Sequence, residues 1–527
     1  MNPRFSITTP IYYVNDRPHL GHASTTVWAD VQARYWRQCG REVFFLTGLD
    51  EHGMKVQQAA EKRGVTPKAH CDEMAGHFLA LWKALNISNN GFIRTTTDAH
   101  QRVVCAILQK LHDQGDIYRK KYRGWYSKSA EQFVTEKEMV DGRWPAHLGE
   151  VIELEEENYF FRMSKYQDWL TGYIHEHSRP KVLKDGVSDV EEWIQPENRR
   201  NEVLGALQKP LEDLCISRPK ARLSWGIPLP FDPEYVTYVW FDALINYISG
   251  VGYGTPEFDK WWPVDWHLIA KDILTPHCIY WPTMLKAAGI PQPRRILAHG
   301  WWLMGRDKMS KTLGNVVNPH DYVARFGADA FRYFICRELQ LSTDTDFTEE
   351  RFLARFNADL ANGLGNLVNR TISMVNRYRE GKVPSAGAKT ASDEALAKVT
   401  IEALGDYHQR HMPNIDYGRA LESVWHLVTQ ANRYVDDNAP WKLAKDPAQA
   451  ARLDTVLAHL VDGVALLGSL VEPFMPATAG EIARQLNVEK LPPSHLDDWT
   501  NPAGTGHKLG EAKPLFPRVV AEGKAPA

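Results

Sequence analysis

The chain of 527 residues has few cysteines and no long apolar run. No apolar run reaches the roughly 18 to 20 residues that span a bilayer, so we expect no membrane partner. The N-terminus lacks a basic region followed by an apolar one, which predicts a cytoplasmic protein without a transit segment. The six cysteines are scattered, without a C-x-x-C pair, which indicates a reducing compartment and argues against zinc. They are Cys39, Cys71, Cys105, Cys215, Cys278 and Cys336.

The chain also lacks an excess of either charge, because its formal net charge is only −3 at pH 7. Any nucleic-acid partner would therefore be held by local basic patches, and the net charge neither supports nor excludes RNA. The length is too great for one hydrophobic core, so about two to four domains are expected. The one clear excess in composition is 18 tryptophans, which favours aromatic pockets.

The common phosphate-binding loops are absent as well. The chain has no Walker A loop, and no G-x-G-x-x-G follows its first predicted strand. Both the P-loop and the dinucleotide-binding interpretations are thereby excluded. If the chain binds a nucleotide, other residues must hold the phosphates.

Strand and helix patterns alternate near the N-terminus. The pattern predicts a strand at Phe5 to Thr8, a helix from about His22 to Gln38 closed by Gly40, and a second strand at Val43 to Leu49. This order is that of a right-handed crossover unit, in which ligands lie at the carboxyl ends of the strands. An α/β domain with a parallel sheet is expected.

The pattern changes twice further along the chain. From about Tyr122 to Arg222 the sequence is rich in charged and aromatic residues and is predicted to be an inserted domain. Strands then resume, and from about Glu350 the apolar spacing is helical, which predicts an appended bundle. The predicted strands are Tyr235–Trp240, His267–Ala270 and Arg295–Ala298, and the clearest helices are Leu360–Val375, Ala420–Val435 and Leu457–Val471. The last thirty or so residues are predicted to be an extended tail.

The first candidate site segment is His19-Leu20-Gly21-His22, at the junction of the first strand and helix. The two imidazoles are three residues apart, so both can face one ligand, and the helix N-terminus adds its partial positive charge. Gly21 leaves room for a flat base. The alternative, more probable for such a segment taken alone, is a pair of surface or capping histidines.

The second candidate segment is Lys308-Met309-Ser310-Lys311-Thr312. Lysine is a mobile point charge on a flexible stem, which suits β- and γ-phosphates whose bonds change during a reaction. Taken alone, such a run is more often a solvated basic turn. The two segments together predict a triphosphate held from two sides, as in an adenylate-forming site.

The pair of segments resembles the signature pair of class I aminoacyl-tRNA synthetases. Four further segments narrow the resemblance to the methionyl-tRNA synthetases: Pro10–Asn15, Leu49–Gly53, Val239–Ala243 and Ala439–Trp441. The similarity runs from about Phe5 to about Leu486. It implies a Rossmann-like catalytic domain with an inserted connective domain, followed by an α-helical anticodon-binding bundle.

The resemblance also implies roles for single residues. ATP would be bound by His19, Gly21, His22, Asp272, Lys308 and Lys311, of which His19, His22, Lys308 and Lys311 would be catalytic. Methionine would be bound by Ile11, Tyr13, Asp50, Trp240, Ala243, Leu244, Tyr247, Ile273, His277 and Trp281, with Asp50 on its ammonium group. A polarizable, uncharged thioether is well recognised by aromatic rings, although some of these aromatics are expected to be ordinary core.

In the helical region the resemblance implies that Asn366, Arg370 and Trp441 contact a CAU anticodon. The indole would stack on a base while the amide and the guanidinium read base edges. Solvated asparagines are common on helices, so Asn366 also has an ordinary explanation. Pro440 is expected to begin a helix and leave the indole of Trp441 near its end.

Three positions depart from the family pattern. Serines stand between Tyr122 and Glu131 where a C-x-x-C knuckle would be expected, and Cys105 and Cys215 alone cannot supply four soft ligands, so no structural zinc is expected. Ala270 stands before Lys271 where glycine is usual. Cys215 occupies the place of an expected acid.

We therefore predict a methionine–tRNA ligase that uses ATP as substrate, with Mg²⁺ held mostly by phosphate oxygens and water. The expected partners are L-methionine and tRNA(Met), including the initiator tRNA, and the chain is expected to be a monomer. Expected boundaries are 1–116 and 226–349 for the catalytic domain, 117–225 for the insert, 350–490 for the bundle and 491–527 for the tail.

Other enzymes share parts of these patterns. Isoleucyl, valyl and leucyl relatives carry much larger inserts, and a cysteinyl relative needs a zinc site. A small adenylyltransferase with the histidine segment would lack the helical region. An RNA-binding paralogue that has lost activity would not need His19, His22, Lys308 and Lys311 together.

Overall fold

The computed structural model describes residues 3–127, 132–134, 136, 139, 142–178, 180–182, 188–190, 192–304, 307–308, 317–495 and 500–519. The first part alternates strands and helices, as the sequence predicts. Its strands are β1 (Arg4–Tyr13), β2 (Glu42–Asp50) and β3 (Gly91–Arg94). Its helices are α1 (Leu20–Gln38), α2 (Met54–Lys62), α3 (Pro67–Ala84) and α4 (Asp98–Asp113).

The next part is mostly antiparallel and corresponds to the predicted insert. Its strands are β4 (Ile117–Ser127), β5 (Gln132–Val134), β6 (Val151–Phe161), β7 (Pro180–Val182), β8 (Ser188–Val190), β9 (Ile194–Gln195), β10 (Leu214–Cys215) and β11 (Ser217–Pro219), with helices α5 (Gln167–Glu176) and α6 (Glu197–Ala206). A four-stranded sheet in the order β10-β6-β4-β5 forms its centre. Two of these strands pair outside the insert: β9 joins the central sheet, and β11 pairs with the later strand Asp232–Thr237.

The catalytic half then resumes. It contains β12 (Pro228–Leu229), β13 (Asp232–Thr237), α7 (Val239–Ser249), α8 (Pro256–Trp261), β14 (Trp266–Ala270), α9 (Trp281–Ala288), β15 (Ile296–His299), β16 (Trp302–Met304), β17 (Asp307–Lys308), α10 (Pro319–Phe326), α11 (Ala328–Glu338) and β18 (Thr345–Asp346). The predicted strand Tyr235–Trp240 was wrong at its end. Tyr238 is the extended residue before α7, and Trp240 lies in the first turn of that helix.

The central sheet is parallel and has the order β3-β2-β1-β14-β15-β9. Both of its faces are covered, which explains why its strands read as nearly continuous apolar runs. Within β14, Leu268 packs into the core that includes α1, α3 and the helical bundle, while Ile269 packs into the core under α4, α7 and α9. Successive strand residues point to opposite faces, so one strand serves both cores.

The bundle is helical, as predicted. It contains α12 (Glu349–Arg355), a π-helical segment (Phe356–Gly365), α13 (Asn366–Tyr378), α14 (Ala391–Gly405), α15 (Tyr417–Asn438), α16 (Pro440–Leu443), α17 (Ala450–Val471) and α18 (Pro476–Gln485). In the described part of the chain, the stretch Pro447–Val471 is long and apolar enough to cross a membrane by composition alone. However, 78% of its apolar window is buried inside the protein, so these residues are also the core of the bundle.

The described part of the tail, residues 491–495 and 500–519, packs on the bundle. The ring of Phe516 meets that of Phe356 edge to face, with centroids 5.9 Å apart. Asn357 exchanges two hydrogen bonds with the backbone of Val519, at 2.9 and 3.1 Å. The tail therefore covers the segment that joins the bundle to the catalytic half.

Candidate active site

A cavity of about 480 Å³ opens at the carboxyl edge of the central sheet. This is the edge where parallel α/β sheets bind ligands. Thirteen of the predicted site residues line it together: Ile11, Tyr13, His19, Gly21, His22, Asp50, Trp240, Ala243, Leu244, Tyr247, Asp272, Ile273 and His277. They come from segments up to about 260 residues apart in the sequence.

The end of β1 brings two of these residues to the cavity. The pairing of β1 with β2 shifts register between Thr8 and Ile11, around Pro10, which has no N–H to donate. Beyond this irregularity Ile11 and Tyr13 line the cavity, as does the largely buried Tyr12, whose hydroxyl lies 2.7 Å from that of Thr26. The irregular pairing thus lies where the strand enters the cavity wall.

His19 and His22 form the N-terminal cap of α1. Nδ1 of His19 accepts a hydrogen bond from the backbone N–H of Gly21 at 3.0 Å, and Nδ1 of His22 accepts from the N–H of His19 at 3.2 Å. The two rings stack, with centroids 3.9 Å apart. The two histidines therefore cap α1 and also line the cavity, while their contact with a phosphate stays a prediction.

The structure gives a further reason for glycine at position 21, beside the predicted room for a flat base. A Cβ atom there would lie 2.9 Å from Cε1 of His19. A side chain at this position would therefore collide with the imidazole before it met any ligand. Gly21 keeps the histidine pair in place.

The segment after β2 sends three successive acidic or basic side chains in different directions. Asp50 lines the cavity. Glu51 is fully buried and pairs with the guanidinium of Arg94 at 2.6 Å. His52 turns to α7, where its Nδ1 lies 2.6 Å from Oδ2 of Asp242. The two residues that follow Asp50 are thus each held by a separate side-chain contact.

Asp242 is the centre of a buried network. Its second oxygen lies 2.7 Å from Nε2 of His100, and Nδ1 of His100 lies 2.7 Å from the hydroxyl of Ser249. Burial raises the pKa of Asp242, but His52 and His100 outweigh that effect and hold it at about 2. The carboxylate ties β2, α4 and α7 together beneath the cavity.

Gly53 completes this corner with a backbone that other residues rarely adopt. Its φ angle is +106°, and a Cβ atom there would lie 2.7 Å from the hydroxyl oxygen of Tyr13. Its N–H donates to the carbonyl of Trp225 at 3.2 Å, and the indole N–H of Trp225 donates to the carbonyl of Glu51 at 2.5 Å. The end of the insert is thereby fastened to the segment that carries Asp50.

Helix α7 supplies the apolar wall through Trp240, Ala243, Leu244 and Tyr247. The hydroxyl of Tyr247 lies 2.7 Å from Nε2 of His277, whose Nδ1 lies 2.8 Å from the carbonyl of Ile273. Because a carbonyl only accepts, Nδ1 carries the proton and Tyr247 donates to Nε2. Burial lowers the pKa of His277 to about 4, so the ring is neutral near pH 7.

Trp281, also predicted to bind methionine, lies one layer further from the cavity than the other predicted residues. It does not line the cavity in the described part of the chain, and its side chain is fully buried behind Tyr247, with ring centroids 5.9 Å apart. Its indole N–H points to His267 at 3.2 Å. Helix α9 presents this residue to the core, one layer behind the lining, and its contact with methionine stays a prediction.

The lysine segment is only partly described. The backbone of Lys308 pairs with Leu303 in an antiparallel hairpin of β16 and β17. Met309, Ser310, Lys311 and Thr312 lie outside the described residues. The role of both lysines remains a prediction from the sequence.

Several lining residues were missed by sequence reasoning: Pro10, Tyr12, Thr25, Lys55, Tyr238, Val239, Asn246, Ala270, His299, Gly300, Trp301 and Trp302. For His299 to Trp302 the sequence did offer a signal, because these residues directly follow the predicted strand Arg295–Ala298. Nδ1 of His299 donates to the carbonyl of Gly300 at 2.7 Å, so its Nε2 accepts from the hydroxyl of Thr25 at 2.8 Å. This bond joins β15 to the first turns of α1.

The rim near Asp272 is held by charge and aromatic contacts. The indole N–H of Trp301 donates to Oδ1 of Asp272 at 3.2 Å. Lys271 pairs with Asp344 at 2.7 Å and lies 4.2 Å from the ring centroid of Trp301. Ala270, in place of the usual glycine, lines the cavity beside them.

The bundle brings the three predicted anticodon residues onto adjacent helix segments. Trp441 lies in the short helix begun by Pro440, as expected, and is 39% exposed. The guanidinium carbon of Arg370 lies 5.6 Å from its ring centroid, and Arg370 also pairs with Asp436 at 2.8 Å. The amide of Asn366 donates to that of Asn432 at 3.2 Å.

In the insert, Cys215 contacts the guanidinium group of Arg218. Its Sγ atom lies 3.4 Å from a guanidinium nitrogen of Arg218, at the place where an acid was expected. Burial raises the pKa of Cys215 although Arg218 opposes that effect. Among the described residues, no three His, Cys, Asp or Glu side chains form a group that could hold a metal ion.

Comparisons with known proteins agree with this geometry. Residues 5–151 and 147–372 match the family described as "tRNA synthetases class I (M)", and residues 383–525 match "Anticodon binding domain of methionyl tRNA ligase". The methionine–tRNA ligase of Lactococcus lactis is 44% identical over 99% of this chain and 78% of its own length. That of Bacillus subtilis is 42% identical over 99% of this chain and 79% of its own length.

Solved structures give the same result. The Mycobacterium tuberculosis methionyl-tRNA synthetase in complex with methionyl-adenylate has a TM-score of 0.90 and 37% identity, covering 98% of this chain and all of that one. The apo form of that enzyme has a TM-score of 0.84 and 34% identity, covering 98% of each chain. The likeness extends over catalytic domain, insert and bundle together.

Proposed function

The chain belongs to the methionyl family of class I tRNA synthetases, and from this membership we propose that it is a methionine–tRNA ligase. It uses ATP to convert L-methionine to methionyl-adenylate and pyrophosphate, and then transfers the methionyl group to tRNA. The observation that carries the proposal is one cavity with the histidine pair of α1 on one side and an apolar, aromatic wall on the other.

Methionine recognition is assigned to the part of the cavity formed by β1 and α7. The carboxylate of Asp50 suits the substrate ammonium group, and its neighbours Glu51 and His52 hold it in place through Arg94 and Asp242. The uncharged thioether side chain suits the wall of Ile11, Tyr13, Trp240, Ala243, Leu244, Tyr247, Ile273 and His277. A neutral His277 also avoids placing a charge against an apolar substrate group.

ATP is assigned to the N-terminal end of α1. The backbone N–H groups and the macrodipole of this helix attract phosphate oxygens, and the histidine pair can stabilise charge that develops on the α-phosphate. Gly21 and Asp272 line the same region, and Lys308 and Lys311 are proposed to reach the β- and γ-phosphates. The attack of the methionine carboxylate then needs mainly positioning and charge stabilisation.

Mg²⁺ is proposed to enter with ATP. The ion would be held mostly by phosphate oxygens and water. When bound, it would neutralise charge on the triphosphate and on the pyrophosphate product. Asp272, exposed at the rim, would be available to bind a water of its shell.

In the second step the 3′-terminal ribose hydroxyl of the tRNA attacks the activated carbonyl and releases AMP. The bundle is proposed to select tRNA(Met), including the initiator tRNA, through Asn366, Arg370 and Trp441. An exposed indole beside a guanidinium provides a stacking surface and a base-edge donor. The monomeric state, the cytoplasmic location and the predicted domain boundaries are parts of the same proposal.

Replacing Trp441 with alanine should reduce the kcat/KM for tRNA charging by roughly 5- to 150-fold, the value of one stacked base. Methionine-dependent pyrophosphate exchange, which needs no tRNA, should be unchanged. The two reactions are measured on the same preparation. Ile401→Ala, which removes a 71% exposed apolar side chain elsewhere in the bundle, is the matched control. Equal losses in both reactions would show that Trp441 is structural.

The proposed function itself is tested by pyrophosphate exchange with each of the twenty amino acids, followed by charging of tRNA(Met). Methionine alone should support rapid exchange. Exchange with a different amino acid, or with none, would overturn the assignment. The molar mass of the protein in solution, measured by light scattering after size-exclusion chromatography, tests the monomeric state separately.

A further inference from the structure

His267 lies directly behind the methionine wall and is fully buried. It belongs to β14 and does not line the cavity in the described part of the chain. Its Nδ1 lies 2.7 Å from the hydroxyl of Thr8, and its Nε2 lies 3.2 Å from the indole nitrogen of Trp281. Its ring faces that of Tyr247, with centroids 4.1 Å apart.

The directions of these hydrogen bonds are fixed by chemistry. An indole N–H only donates, so Nε2 of His267 is an acceptor. A ring with a bare Nε2 carries its proton on Nδ1, which then donates to the hydroxyl of Thr8. The ring is therefore neutral, in agreement with burial, which lowers its pKa well below the usual value. Each ring nitrogen therefore has its own partner: Nδ1 donates to Thr8, and Nε2 accepts from Trp281.

This arrangement links two groups that shape the cavity. Trp281 is held by its indole N–H and packs against Tyr247 at 5.9 Å between centroids. Tyr247 in turn donates to His277, and both line the cavity. The orientation of the wall therefore depends on a residue that a ligand cannot touch.

We propose that His267 is a positioning residue for methionine. It fixes the indole of Trp281 and supports the ring of Tyr247, so that the cavity keeps a shape that fits the linear thioether side chain of methionine. The inference rests on the proposed function. It assigns discrimination between methionine and longer analogues partly to a residue one layer behind the wall. ATP binding, on the α1 side of the cavity, should not depend on it.

Two substitutions separate the two hydrogen bonds of the ring. Glutamine can place a carbonyl oxygen near the position of Nε2 and so keep an acceptor for Trp281. Asparagine is one bond shorter and can replace only the contact with Thr8. Both are neutral, polar amides, which makes them a matched pair.

The experiment is pyrophosphate exchange with methionine and with ethionine, whose side chain is one methylene longer. His267→Asn should raise the KM for methionine about tenfold and lower the preference for methionine over ethionine by a similar factor. His267→Gln should stay within about threefold of the parent chain in both quantities. The KM for ATP is the internal control and should change by less than about twofold.

Three results would overturn the proposal. They are equal behaviour of the asparagine and glutamine variants, a parallel rise in the KM for ATP, and an unchanged preference over ethionine. If the asparagine variant does not fold, Thr8→Val removes the acceptor for Nδ1 and should raise the methionine KM alone; an unchanged KM contradicts the proposal. Failure of the proposed function is distinct, because the parent chain itself would then not respond to methionine.

Discussion

Replacing His22 with asparagine should lower the kcat of methionine-dependent pyrophosphate exchange by about 10²- to 10³-fold, as expected for loss of one preorganised group beside the reacting phosphate. The amide oxygen of asparagine can occupy the place of Nδ1, which accepts the N–H of His19 in the cap. The substitution therefore removes the Nε2 edge of the ring while the cap remains. Thermal stability and the KM for methionine should stay near those of the parent chain.

His22→Ala provides the comparison, because it removes both the ring and the cap. It should lose as much activity as the asparagine variant and about 1 kcal/mol more of the free energy of unfolding. The exchange rates of the two variants measure the loss of activity, and their chemical denaturation curves measure the loss of stability. Full activity in the asparagine variant would mean that His22 only caps α1.

Replacing Arg332 with methionine should reduce the free energy of unfolding by about 3 to 5 kcal/mol, the usual cost of breaking a buried ion pair. Arg332 and Asp30 are both fully buried and lie 2.8 Å apart. The guanidinium also donates to the carbonyls of Leu85, Pro473 and Phe474, at 3.1, 2.9 and 2.8 Å. It thus joins α1 and the end of α3 to the turn before α18 in the bundle.

The matched control lies on the same helix. Arg337 pairs with the exposed Glu422 at 3.0 Å, so Arg337→Met should cost at most about 1 kcal/mol. Denaturant titration of both variants measures the difference. In Arg332→Met the carboxylate of Asp30 keeps its ion pair with Arg34 at 2.8 Å, so the loss should lie toward the lower end of the range of about 3 to 5 kcal/mol. Equal stability of the two single variants would contradict the assigned role of Arg332.

Much of the site could be predicted from short segments, and the reason is geometric. The His19–His22 segment and the Asp50–Gly53 segment each follow a strand of one parallel sheet, so both had to reach the same edge. The strand pattern predicted this edge correctly. Trp240 was also identified, although its strand assignment was wrong, because its neighbours in sequence carried the family resemblance.

The layer behind the cavity could not be predicted in the same way. His52 meets Asp242 across 190 residues, and Thr8 meets His267 across 259. Nothing in the sequence near His267 distinguishes a histidine that orients an indole from one that binds a ligand. The position of Trp281 behind the lining could not be predicted for this reason: its residue type fits the pocket, but the direction of its side chain depends on how α9 packs.

The sequence by itself determined the fold class, the family and the edge of the sheet at which the candidate site lies, because these follow from local periodicity and from short segments at strand ends. Only the tertiary structure decided which histidines cap, which relay hydrogen bonds and which face the cavity. Those roles depend on donors and acceptors contributed by distant segments. The same imidazole has a different protonation and function according to the groups that folding places within 3 Å of it.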